Sequence, residues 1–137
     1  MMHRLITRFL LILSVLIITP NQMSATTNEL PECVVITHCV RETFKVNDLE
    51  NAFKKASKIV SESPRTKIVE QTNSYIHAEA KTKWRRYTDD LILKAIPEEG
   101  IIQVRSESRV GIGDNGVNQR RVDDLAYRLM TELNSPS

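Results

Sequence analysis

The chain predicts an α+β domain in the order α-β-β-β-β-α, an antiparallel four-stranded sheet with two helices on one face. Three patterns lead there. Apolar residues recur at helical spacing over 49–60 and again over 122–133, each drawing one buried stripe. Between them lie two pairs of strand-like runs, one pair joined by Asn73-Ser74 and the other by Pro97-Glu98-Glu99-Gly100, the marks of two hairpins. Only one helix follows the last run, so no parallel βαβ unit is available and the sheet must be antiparallel.

Before the domain comes a leader. Arg4 and Arg8 precede an apolar run over 9–18, then Thr19-Pro20 and the small residues Ser24-Ala25. That is the layout of a secretory signal over 1–25, with cleavage expected after Ala25; Met23 stands where a small residue is usual, so an uncleaved anchor stays open. Ten or so apolar residues fall short of the roughly 30 Å hydrocarbon core. Of the 19 Lys and Arg, Arg4 and Arg8 lie in the leader, leaving 17 against 17 acidic residues. A neutral mature chain carries no bulk argument for nucleic acid.

Residues 26–46 read as an N-terminal segment with a disulfide. Cys33 and Cys39 are the only cysteines, and an oxidising compartment favours their pairing. The alternative, a metal site with His38, lacks the paired CxxC spacing of zinc sites, and no metal is expected.

The α+β domain spans 47–134. Asn47 or Asp48 caps the first helix, whose stripe is Leu49, Ala52, Phe53, Ala56, Ile59 and Val60 and which ends before Pro64; Lys54, Lys55 and Lys58 form a solvated face. Strands are expected over 67–72 and 75–82, with His77 on the polar face beside Glu79 and across from Glu70. In the second hairpin Ile96 faces Ile101. The pairs Ala95 with Ile102, Leu93 with Val104 and Leu91 with Ser106 then seat on the helices, while Lys94 with Gln103, Ile92 with Arg105 and Asp90 with Glu107 lie on the other side. This register sets Asp90 diagonally beside Arg105 and Arg109. Val122, Leu125, Ala126, Leu129 and Leu133 form the stripe of the last helix, capped by Asp114 or Asn118.

Chemistry concentrates in 101–125. Gly111, Gly113 and Gly116 spell G-x-G-x-x-G after a strand and before a helix, but without a parallel βαβ unit the dinucleotide fingerprint is rejected and no cofactor is expected. A weaker reading survives, in which the glycine turn and nearby arginines cradle an anion. Arg120 and Arg121 occupy the first helical turn, where the dipole disfavours cations unless a carboxylate such as Asp89, Asp90, Asp123 or Asp124 offsets them. The ligand-binding candidates are His77, Asp90, Arg105, Arg109, Gly111, Gly113, Gly116, Asn118, Arg120 and Arg121.

The RSxSRVG run (Arg105, Ser106, Ser108, Arg109, Val110, Gly111), the GVN of Gly116, Val117 and Asn118, and the Asp89-Asp90 pair resemble the bacterial, cyanobacterial and plastid family called domain of unknown function 1499. The likeness runs from about Cys33 to Leu133. Cys33 and Cys39 match two family cysteines, although the Pro, Ser and Asn usual between them are here 34–38; Gly113 and Asn115 stand where the family more often has Ser and Leu. The resemblance implies an exported or membrane-associated α+β domain, in photosynthetic organisms often of the thylakoid lumen, and implies no reaction.

Two function classes follow. One is an exported accessory or binding domain, of periplasm or lumen, engaging a protein partner or an anionic small molecule through an open polar sheet face. The other is a small hydrolase-like enzyme using His77 or Asp90 as base and arginines as oxyanion clamps. The first is preferred: no nucleophile motif appears, and arginines beside Asp90 lower its basicity. A membrane partner is expected only if the leader stays uncleaved.

Overall fold

The computed structural model describes residues 28–135, so the signal segment expected over 1–25 lies outside them. The elements are β1 (Cys39–Lys45), α1 (Leu49–Glu62), β2 (Thr66–Gln71), β3 (Tyr75–Lys81), β4 (Thr88–Ile96), β5 (Ile101–Ser108) and α2 (Val117–Asn134). The sheet is antiparallel in the order β1-β5-β4-β3-β2. It has five strands, not the four expected. The missing one, β1, reads CVRETFK. Glu42 stands at the midpoint of its inward row, between Val40 and Phe44, and breaks the period-two signal. An edge strand tolerates this because Glu42 lies at the sheet margin and stays exposed.

Asp48 caps α1, its Oδ1 accepting from Asn51 N at 3.1 Å, and the helix stops at Ser63, held extended before Pro64. Ala52, Phe53, Ala56, Ile59 and Val60 are buried, and Val122, Leu125 and Leu129 of α2 meet them from the other helix. Lys55 is not simply solvated: its Nζ donates to the Glu132 carbonyl at 2.6 Å and ties α1 to the end of α2.

Both helices cover one face of the sheet, over Ile76, Ala78, Leu91, Leu93, Ala95, Ile102 and Val104. The β4–β5 register is the expected one throughout, from Ile96 opposite Ile101 to Asp90 opposite Glu107. The hairpin closed by Asn73-Ser74 also forms, Thr72 N donating to Tyr75 O at 2.8 Å. β2 guards the second edge with a bulge between Ile68 and Glu70 and with mostly exposed polar side chains.

The polar face is only partly open. Leu30 packs down beside β5, is buried, and donates its N–H to Gln103 Oε1 at 2.8 Å, so Gln103 is buried as well. Glu29 and Glu32 pair with Arg41 on β1, which faces Arg105 across the strands, and Glu107 pairs with Arg105 at 2.7 Å. Three carboxylates thus offset the clash of two facing arginines.

Cys33 and Cys39 are bonded, and the loop between them sits at the start of β1. Closing a loop this short stabilises by about 2 kcal/mol on the chain-entropy estimate. Cys33→Ser with Cys39→Ser is therefore expected to lower the unfolding free energy by about that amount in urea melts; unaltered stability would show that the bridge constrains nothing.

Candidate functional site

Side chains alternate across a strand, so the Asp89-Asp90 pair and the RSES run each divide between the two faces of the sheet. Asp90 and Arg105 point to the polar side; Asp89, Ser106 and Ser108 point toward the helices and are buried. Two separate polar networks result.

On the polar side, Asp90 and Arg109 come together as the register required, and His77 joins them from β3. Arg109 is bidentate on Asp90, Nε to Oδ2 at 2.9 Å and Nη2 to Oδ1 at 2.7 Å, and Nη2 also reaches Glu79 at 2.7 Å. His77 Nε2 lies 2.6 Å from Asp90 Oδ1. The Arg109 guanidinium, and secondly the hydrogen bond from His77, hold Asp90 below the usual carboxylate value despite its partial burial, while Asp90 and Glu79 raise Arg109 above the usual arginine value. An aspartate held ionised in this way is a poor proton acceptor. Among the described residues no hydroxyl or thiol joins His77, so the nucleophile–base pair of a hydrolase is not assembled here. Arg105 stands apart, bound to Glu107 rather than Asp90.

On the helix side the hub is Asn118, fully buried. Its Oδ1 accepts from Ser106 Oγ at 2.6 Å and from Arg121 Nη1 at 2.6 Å; its Nδ2 donates to Ser108 Oγ at 2.9 Å and to the His38 carbonyl at 3.0 Å. All four capacities of the amide are used. Arg121 also donates to Ser106 Oγ at 2.9 Å and to Asp89 Oδ2 at 2.8 Å, which answers the misfit of a cation in the first turn of α2. The other Asp89 oxygen, Oδ1, is buried without a donor among the described residues. The partners Ser106 and Ser108 were not among the sequence candidates. Their signal was available: polar residues at inward positions of an otherwise apolar strand need a buried partner.

The glycine turn is shaped as expected but carries an anion of its own. Gly111 and Gly116 have φ of 91° and 75°, left-handed values that favour glycine. Gly116 precedes α2 and provides no side-chain cap. The cap comes from Asp114, whose Oδ1 accepts from Gly116 N and whose Oδ2 accepts from Asn118 N, both at 2.8 Å. Burial raises the Asp114 value, but the N–H donors of Asn118 and Gly116 more than offset this and keep it low. The N–H groups that an external anion would use are therefore taken.

Between the 82–87 loop and the 109–116 loop, at the end of the sheet, opens a cleft of about 790 Å³. Arg65, Lys81, Arg120 and Arg121 line it with Trp84, Tyr87, Gly111 and Gly113, and Asp89 and Ser108 lie at its floor. Arg65, Lys81 and Arg120 form no ion pair among the described residues. Among the described residues, Arg65, Arg86 and Asn115 are the non-glycine residues with positive φ; Arg65 and Asn115 line this cleft and Arg86 lies in the 82–87 loop that borders it. Backbone strain of this kind collects at functional sites. Sequence reasoning missed the cleft because Arg65 and Lys81, at the open end of the β2–β3 hairpin, meet Arg120 and the glycine turn only through tertiary packing.

Among the described residues, no three His, Cys, Asp or Glu gather to hold a metal ion, and no helix is long and apolar enough to cross a membrane. The chain belongs to the family described as Protein of unknown function (DUF1499), whose model matches residues 13–129. No curated protein matches it.

The two networks should differ sharply on mutation. Arg121→Ala leaves Asp89 buried and uncompensated and is expected to cost about 3–5 kcal/mol, whereas Asp90→Ala, on the partly exposed side, is expected to cost about 1 kcal/mol or less. Urea melts of the two variants decide the ranking. The pH dependence has a definite sign: Asp90 and Asp114 have lowered folded values, so their contribution is complete above the unfolded value of about 3.9 and is lost as pH falls through the lower folded values. Asp90→Asn should flatten that acid limb, and an unchanged slope would remove Asp90 from the account.

Proposed function

We propose that this is the binding domain of an exported accessory protein, and that the cleft at the end of the sheet holds an anionic small molecule. The observation carrying the reading is the cleft itself, within the range of small-molecule pockets and bordered by Arg65, Lys81 and Arg120 without carboxylate partners among the described residues. Trp84 and Tyr87 supply apolar contact area on the same border. The leader pattern and the Cys33–Cys39 bond support export.

The recognising groups are side chains rather than the helix end, since Asp114 occupies the N–H groups of the glycine turn. Guanidinium groups supplied by two different elements, Arg65 just before β2 and Arg120 from α2, suit a phosphate, sulfate or carboxylate. The His77–Asp90–Arg109 cluster serves as a brace between β3, β4 and the base of the 109–116 loop, its charges mutually neutralised.

Thermal melts with phosphate, sulfate and small carboxylates, against chloride at equal ionic strength, test the reading. The parent should melt higher with at least one of these anions, by the amount binding to the folded state gives, about 2.7 kcal/mol when the anion is at 100 times its Kd. Arg65→Ala with Lys81→Ala should abolish the response. A parent indifferent to every anion would overturn the assignment.

A further inference from the structure

We infer that the loops at the cleft end of the sheet dock onto a membrane surface rich in anionic lipid. The inference stands on the exposed side chains of the loops and not on occupancy of the cleft. Trp84 is 86% exposed, Ile112 91%, Val34 90% and Ile36 81%. Of ten large apolar side chains left exposed among the described residues, seven belong to the 33–38, 82–87 and 110–112 segments. Single exposed apolar residues need no explanation, but such a concentration does.

The three segments share one end of the fold. The hydroxyl of Thr37 donates to the Ile112 carbonyl, and Asp114 N donates to Thr37 O at 3.2 Å, stitching the disulfide loop to the glycine turn. Arg109 N donates to Thr88 O at 3.3 Å, joining the bases of the other two. Thr82 and Tyr87 close the 82–87 loop with two hydrogen bonds, Thr82 N to Tyr87 O at 2.9 Å and Tyr87 N to Thr82 Oγ1 at 3.0 Å, so Trp84 projects from a pinned tip.

Charge selects the occupant. Lys83, Arg85 and Arg86 flank Trp84, and none forms an ion pair among the described residues; Lys83 Nζ lies 5.2 Å from the indole centroid. Of the acids near this end, Asp89 is withdrawn by burial and Asp114 by its two N–H bonds, Glu32 is paired with Arg41, and Glu79 and Asp90 are paired with Arg109. Glu98 and Glu99 lie in the β4–β5 turn, at the opposite end of those strands. A tryptophan among exposed, unpaired cations suits the headgroup layer of an anionic bilayer. Apolar insertion and basic attraction together supply the two signals that stable peripheral binding takes.

Trp84 is the single tryptophan, so its emission reports the tip alone, whatever the leader does. The full chain is mixed with vesicles of phosphatidylglycerol or of phosphatidylcholine. Docking predicts a blue shift and quenching by brominated acyl chains with phosphatidylglycerol only, weakening as salt rises. Lys83→Glu with Arg85→Glu and Arg86→Glu should weaken partition by on the order of 100-fold or more at unchanged melting temperature. No shift, an equal shift with both lipids, or a shift retained by the triple variant overturns the inference. A shift that grows with protein concentration without lipid also overturns it, making a second copy the occupant. Arg65→Ala with Lys81→Ala tests the cleft separately, so vesicle docking and soluble-anion binding can fail independently.

Discussion

The structure depends on one buried amide. Asn118, at the start of α2, holds the last two serines of β5 and the carbonyl that leads into β1, and shares its oxygen with the arginine that neutralises Asp89. Apolar packing alone would let α2 slide or rotate on the sheet, because dispersion contacts are non-directional. A four-bonded amide admits one placement, since each partner abandoned would remain buried and unpaired. The helix start, the sheet end and the disulfide loop are located by the same group.

That arrangement gives the family motifs a physical reading. RSxSRVG supplies Ser106 and Ser108 to the network beneath α2 and Arg109 to the brace on the other side; GVN supplies Asn118 itself; the two aspartates supply one counterion to each. The motif residues hold the framework of the cleft, while its cationic border, Arg65, Lys81 and Arg120, comes largely from outside those runs. The charge of that border can therefore vary without dismantling the framework.

Much of the fold was legible in the sequence because its signals are local. The helical stripes, the Asp48 cap and the turn residues of both hairpins each act within a few positions, and the β4–β5 register follows from alternation once Pro97–Gly100 is taken as the loop. β1 was not legible, for its pairing with β5 joins residues more than 55 positions apart and its own alternation is interrupted by Glu42. The site divides the same way. Asp90 and Arg109 could be placed together by register, and His77 on the same face; the cleft border could not, because Arg65, Trp84 and Arg120 meet only through strand order and loop shape.

The division of Asp89 and Asp90 between faces also fixes a parity for β4. A one-residue insertion or deletion within the strand would invert every side chain beyond it, sending the partner of Arg109 under the helices and the partner of Arg121 into solvent. No single compensating substitution restores both, since the two networks lie on opposite sides of one backbone. A change of length that keeps both networks is accordingly expected in the turns and not within β4.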